Sequence, residues 1–151
     1  MLQTGLKLHA PDPLSAYVVE DQVGFLLRRA HQRHAAIFLE SMAPHDLTPT
    51  QFTALIKTVE LGRVTQNLLG RLTAMDPATI QGVVRRLVDR ELVSRALDPM
   101  DRRTTVLIAT DAGIALAGHA VSSARAITAA TLAPLDTAER TQLTALLRKL
   151  G

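Results

Sequence analysis

The 151-residue chain has no cysteine and no tryptophan, and its aromatic residues are three phenylalanines and one tyrosine. Without a thiol it cannot sense oxidants through cysteine chemistry, nor hold zinc or an iron–sulfur cluster through cysteine ligands. With aromatics at 3% and hydrophobic residues at 47%, the interior must be aliphatic and helix-rich, with enough apolar material for the core of one domain. No apolar run is long enough to span a bilayer, and Met1-Leu2-Gln3 does not open a signal peptide. A cytoplasmic chain with no membrane partner is therefore expected. The net charge of +3 is small, so a basic surface, if one exists, must be local. Internal repeats and low-complexity linkers are lacking. So are a nucleophile elbow, a phosphate-cradling glycine loop and a cofactor fingerprint, and the expectation is a protein that is not an enzyme and carries no cofactor.

What is present centres on Asp76 to Gly113. Asp76-Pro77 opens a helix, because a carboxylate at the N-cap accepts from orphan amides and proline suits the first helical position. Ile80, Val83, Val84, Leu87 and Val88 recur at helical spacing and mark its buried face. At about 100° per residue the opposite face carries Ala78, Gly82, Arg85 and Asp89, bordered by Gln81 and Arg86. The period then changes. Val93 to Leu97 and Thr104 to Ala109 are rich in β-branched residues and read as two short strands. Between them, Asp98-Pro99-Met100-Asp101-Arg102-Arg103 is a turn ending in two adjacent cations. Thr110-Asp111 caps the next helix. A short helix with a small polar outer face fits the DNA major groove, and two arginines on a projecting hairpin can reach phosphates or the minor groove beside it. This is the plan of a winged helix-turn-helix.

The run D-P-M-D-R-R followed by T-T-V-L-I-A-T-D-A-G resembles the signature wing of the MarR family (multiple antibiotic resistance regulators), and the resemblance extends over nearly the whole chain in length and order of elements. It implies a dimeric bacterial transcription factor, mainly α-helical with a small β-hairpin wing. Residues 1–151 would form a single domain of this family, with dimerisation helices at 12–43 and 111–151 and the winged-helix DNA-binding lobe at 48–110. Asp76-Pro77-Ala78-Thr79 departs from the family's more polar, arginine-bearing helix start, so the base contacts are expected to differ.

In chain order, residues 1–11 show no periodicity and read as an arm. Asp12-Pro13 has the form of a capped helix start, giving a helix to about Met42 whose apolar face is Val19, Val23, Leu26, Leu27, Ala30, Ile37 and Phe38. Pro44 breaks it. Thr48-Pro49-Thr50-Gln51 is a capping box with proline at the first position; the helix that follows carries Phe52, Leu55, Ile56 and Val59 and stops at Gly62. A short helix from Thr65 to about Met75 completes the helix-turn-helix. An alanine-rich helix runs from Ala112 to Ala133, and Asp136-Thr137-Ala138-Glu139 starts a last one with Leu143, Leu146, Leu147 and Leu150 in a stripe. The small residues and apolar stripes of the two chain ends read as a homodimer surface. Two recognition helices related by a two-fold axis would read a palindromic operator in double-stranded DNA.

The candidate DNA contacts are Gln81 and Thr79 as base readers, since glutamine pairs with adenine and threonine can donate or pack on thymine. Gly82, mid-helix on the outer face, costs about 1 kcal/mol relative to alanine; close approach to DNA would explain it, and so would drift without function. Arg85 and Arg86 are assigned to phosphates, Arg95 and Thr104 to the flanks of the wing, and Gln66 and Asn67 to the backbone. Arg102 and Arg103 are the wing's candidates, and resemblance implies that Asp101 orients Arg103 by a salt bridge and that Arg103 enters the minor groove.

A second cluster is Arg28-Arg29-Ala30-His31-Gln32-Arg33-His34. The resemblance implies an effector pocket where dimerisation helices meet the DNA-binding lobe, taking a small anion such as an aromatic acid or an acyl-CoA. Arg33, His34, His31, Phe38 and Phe52 are the candidates for it; a solvated charge run is the competing reading. A metal-sensing regulator using His31, His34 and His9, His45 or His119 is the alternative within the same fold, although no compact carboxylate cluster completes a site. A small helical enzyme is the third.

Overall fold

The computed structural model describes residues 14–151, which divide into two units, 14–33 and 34–151. In the first, a turn at residues 14–16 and one 3-10 turn, Val19–Asp21, precede helix α1 (Val23–Met42), whose second half belongs to the other unit. This corrects the expectation of one helix running from Asp12. The Asp12-Pro13 pair lies outside the described residues, Val19 sits in the 3-10 turn, and the α-helix begins only at Val23. Val18, β-branched and extended (φ −99°, ψ 109°), interrupts any helix before it, and Gln22 Nε2 closes the corner by donating to the Val18 carbonyl at 2.8 Å. Val23, Leu26 and Leu27 of the expected apolar face are exposed, whereas Phe38 and Met42 are buried.

The second unit is assembled from capped helices. Helix α2 (Pro49–Leu61) starts in a capping box: Thr48 Oγ1 accepts from the Gln51 amide at 3.2 Å, and Gln51 Oε1 accepts from the Thr48 amide at 3.2 Å. It ends at Gly62, whose φ of 72° is disfavoured for any residue with a Cβ. Thr65 caps α3 (Gln66–Leu72), Asp76 caps α4 (Pro77–Asp89), Thr110 caps α5 (Asp111–Thr131) and Asp136 caps α6 (Thr137–Leu150). Strands β1 (Val93–Leu97) and β2 (Thr105–Ala109) pair antiparallel with Val93 opposite Ala109 and Leu97 opposite Thr105. Thr104 falls just before β2 and belongs to the wing turn.

A two-stranded hairpin alone is marginal in water. Two attachments hold this one. Val64, between α2 and α3, forms a bridge with Leu107 in which each amide donates to the other's carbonyl, at 3.2 and 2.7 Å. At the base, the Thr110 amide donates to the Leu92 carbonyl (3.0 Å) and its hydroxyl to the Glu91 carbonyl (2.6 Å). Val93 and Leu107 join the core, and Val106 is buried as well.

That core gathers Leu55, Leu69, Ile80, Val84, Leu87 and Leu107 with Ala117, Ala120 and Ile127 of α5. Burying a Val, Leu or Ile side chain stabilises by about 1.5–3 kcal/mol, against a few tenths for an exposed i,i+3 ion pair such as Lys57–Glu60. Packing, not charge, therefore holds the helices. Three small residues of α5 serve this packing. A Cβ on Gly113 would lie 2.0 Å from the Leu92 carbonyl oxygen, and Ala117 and Ala120 are buried within the chain. Other small residues of the same helix, Ala115, Gly118, Ala126 and Ala129, stay exposed. By contrast, α6 buries no residue, and Leu146, Leu147 and Leu150 are exposed.

Candidate nucleic-acid interface

Helix α4 buries Ile80, Val83, Val84 and Leu87 and half-buries Val88, as the spacing dictates, so its other face is fixed outward. Gln81 and Arg85 are exposed there and, with Ala78 and Gly82, line a shallow hollow of about 310 Å³. Arg86, also exposed, lies on the other border and lines a separate concavity with Asp46, Thr48, Gln51, Asp89 and Arg90.

Thr79 is held in the helix cap. Its amide donates to Asp76 Oδ1 at 2.8 Å and its hydroxyl to Asp76 Oδ2 at 2.7 Å. In this arrangement the hydroxyl proton is directed to Asp76, and the lone pairs and methyl of Thr79 face outward. The same two bonds, the hydroxyl's first, hold the Asp76 carboxyl below its ordinary value of 3.8.

The helix-turn-helix corner brings α3 against α4 through Gly70, where a Cβ would stand 3.2 Å from Ile80 Cγ2. Beside it, Asn67 lines a hollow of about 280 Å³ with Arg71, Met75 and Pro77, while Gln66 is half-buried. Arg71 was not among the residues singled out from sequence. It follows Asn67 by one helical turn and is exposed on the same side, a spacing that could have found it.

In the wing, the acids fold the turn. Asp98 Oδ1 accepts from the Met100 amide at 2.9 Å, Asp101 Oδ1 from the Arg103 amide at 3.1 Å, and Asp101 Oδ2 from the Thr104 hydroxyl at 2.9 Å. The expected Asp101–Arg103 salt bridge is therefore corrected: Asp101 binds the backbone of Arg103 and the side chain of Thr104, and ion pairs among the described residues are Lys57–Glu60 and Arg90–Asp46. A carboxylate reaches amides two residues on without ordering a long side chain, which would cost up to about 2 kcal/mol of rotamer freedom. Arg102 and Arg103 are exposed at the tip, and Arg95 is exposed on β1. The wing acids are thus tied to local amide and hydroxyl donors, while the guanidinium groups of Arg102 and Arg103 face solvent.

The effector candidates separate. His31 and Arg33 lie on the part of α1 in the first unit and are exposed. In the second unit, His34 Nδ1 and Thr131 Oγ1 are hydrogen-bonded at 3.0 Å, and the His34, Phe38 and Phe52 rings form a chain with centroids 6.3 and 6.2 Å apart. Phe38 lines a cavity of about 500 Å³ with Leu39, Met42, Leu47 and Pro49, whereas Phe52 lines a different groove with Ile56, Lys57 and Leu72. His45 Nε2 is hydrogen-bonded to Ser123 Oγ at 3.0 Å. No group of three metal-ligating side chains is assembled among the described residues; His9 lies outside them.

Residues 45–104 match the model of the MarR family. The chain is 41% identical over 141 residues to the transcriptional repressor NicR of Pseudomonas putida, covering 93% of this chain and 89% of that one. A crystal structure of a probable transcriptional regulator from Pseudomonas aeruginosa is similar at 46% identity and a TM-score of 0.85, over 89% of this chain and 100% of the other. BpsR of Bordetella bronchiseptica, whose DNA binding is regulated by 6-hydroxynicotinic acid, is similar at 40% identity and a TM-score of 0.85, over 89% and 96%. The chain belongs to the MarR family, as a DNA-binding transcriptional regulator and not an enzyme.

Proposed function

We propose that the protein is a homodimeric cytoplasmic repressor that places α4 of each subunit in the major groove of a palindromic operator, flanks it with the wing, and is released by a small aromatic acid. One observation carries the DNA-contact assignment: Gln81 and Arg85 on α4 and Arg102 and Arg103 on the wing are all exposed, while the neighbouring acids Asp76, Asp98 and Asp101 are engaged in local hydrogen bonds. Gln81 reads a base; Arg85, Arg86, Arg95 and Arg71 meet phosphates, as does Asn67, with Gln66 behind it. Arg102 and Arg103 enter the adjoining groove, and Asp101 and Thr104 shape the turn that presents them.

Dimerisation is supported by apolar faces left uncovered at both chain ends: Val23, Leu26 and Leu27 on α1, and Leu146, Leu147 and Leu150 on α6. The effector reading is supported by the similarity to BpsR and by the mainly apolar hollow of about 500 Å³ beside Phe38, within the usual range of small-molecule pockets. His34, whose ring centroid lies 6.3 Å from that of Phe38, is assigned to the ligand's carboxylate. Release then needs only preferential binding to the form with misplaced recognition helices. A hundredfold loss of operator affinity requires about 2.7 kcal/mol of coupling.

Selection from a random duplex pool, followed by titration with 6-hydroxynicotinic acid, other aromatic acids and their coenzyme A thioesters, tests this reading. Enrichment of an inverted repeat bound by one dimer and released by one of these compounds is expected. Failure to enrich any inverted repeat would overturn the operator, and an enriched duplex indifferent to every compound would overturn the effector.

A further inference from the structure

Gly82 stands in the middle of the outward face of α4, where a helix interior disfavours glycine by about 1 kcal/mol relative to alanine. Nothing within the described chain explains it. A Cβ built on Gly70 would press on Ile80 and one on Gly113 would strike the Leu92 carbonyl, but a Cβ on Gly82 would meet no atom within 4 Å. Its φ is not in the left-handed region either. The residue is nevertheless half-buried, and it lines a hollow with Ala78, Gln81 and Arg85. The result is an apolar spot, the Gly82 Cα beside the Ala78 methyl, recessed between two long polar side chains.

We propose that this recess is a base-reading element: it seats the 5-methyl group of one thymine per half-site, while Gln81 reads an adenine at its edge. The inference rests on the reading that α4 enters the major groove. The chemistry fits an A·T pair. In the major groove such a pair presents an adenine N7 acceptor and N6 donor, which a glutamine side-chain amide matches with both its groups, and a thymine methyl, which needs an apolar contact without a hydrogen-bonding partner. A side chain at position 82 would fill the recess and hold the helix off the base pairs by roughly the radius of a methyl group. Arg85 at the other rim supplies a donor fork for a neighbouring guanine or phosphate.

The test exchanges one methyl group between protein and DNA. The wild-type protein and Gly82→Ala are titrated against the duplex enriched from the random pool, and against copies carrying uracil in place of each thymine in turn. Uracil removes only the methyl. The wild type is expected to lose several-fold in affinity at one thymine of each half-site and to be indifferent elsewhere. Gly82→Ala is expected to bind the thymine duplex about tenfold more weakly and, at that same position, to prefer uracil. Thermal melting of the variant, expected at or above the wild-type midpoint, shows that the loss is not unfolding. Three results would overturn the inference: indifference of the wild type to uracil at every position, unchanged affinity of Gly82→Ala for the thymine duplex, or a thymine preference that the variant keeps undiminished. In each of these an enriched duplex still binds, so they are distinct from failure of the operator itself, in which no duplex is enriched.

Discussion

Arg90, the residue that closes α4, grips the corner before α2 at Asp46. Its Nη1 donates to the Asp46 carbonyl, its Nη2 donates to the His45 carbonyl at 3.3 Å, and the Asp46 carboxylate stands 3.9 Å away. Asp46 is there in a left-handed conformation, φ 50°, and His45 is bonded in turn to Ser123 of α5. The end of the proposed recognition helix is thereby tied through one turn of chain to the long helix behind it.

Replacing Arg90 by alanine should remove this tie and lower stability by about 1–2 kcal/mol, since hydrogen bonds from a charged donor are worth more than neutral ones but these are partly exposed. Arg90→Lys should recover little, because an ammonium cannot span two carbonyls as a planar fork does. Urea denaturation of both variants measures it. Wild-type stability in Arg90→Ala would show that the corner is held by packing alone.

Two glycines should respond in opposite directions. Gly113→Ala drives a methyl into the Leu92 carbonyl and should destabilise by about 3 kcal/mol or prevent folding. Gly82→Ala meets no atom and should stabilise by up to about 1 kcal/mol through helix propensity. Thermal melting of the pair decides: equal losses in both would mean that Gly82 is needed for the fold itself.

Asp76 gives a pH dependence of known sign. Hydrogen bonds from Thr79 lower its folded-state pKa below 3.8, so its contribution is complete above 3.8 and is lost as pH falls through the lower folded value. Asp76→Asn retains a cap but no titration. The stability gap between wild type and Asp76→Asn should therefore shrink as pH is lowered from 5 to about 2. A gap independent of pH would exclude the carboxylate as its source.

Where one residue and its immediate neighbours decide a conformation, the sequence was legible. The caps at Thr48, Asp76, Thr110 and Asp136 and the stop at Gly62 lie where the sequence places them, because each satisfies orphan amides or a positive φ locally. The start of α1 was not legible. Val18-Val19 and the Gln22 side chain break a helical pattern that Asp12-Pro13 alone would predict. In the wing, the turn was legible but the partner of Asp101 was not, since a carboxylate's choice between backbone and guanidinium depends on the fold of the turn. The grip of Arg90 on residues 44 and 45 positions upstream had no local signal at all. The small residues of α5 could equally have packed inward or against a second copy; only the position of Leu92 decides for Gly113.

The central claim, that α4 and the wing form one DNA-binding face, is tested most directly by the salt dependence of duplex binding in arginine variants. Wild type, Arg85→Ala, Arg102→Ala and Arg103→Ala are titrated against the enriched duplex at several salt concentrations, with sedimentation confirming an unchanged oligomeric state. Each variant should bind more weakly, Arg103→Ala by tenfold or more, and the slope of log affinity against log salt should fall by about one unit for every phosphate contact removed. Wild-type affinity and slope in all three variants would contradict the claim and move the DNA-binding face elsewhere on the protein.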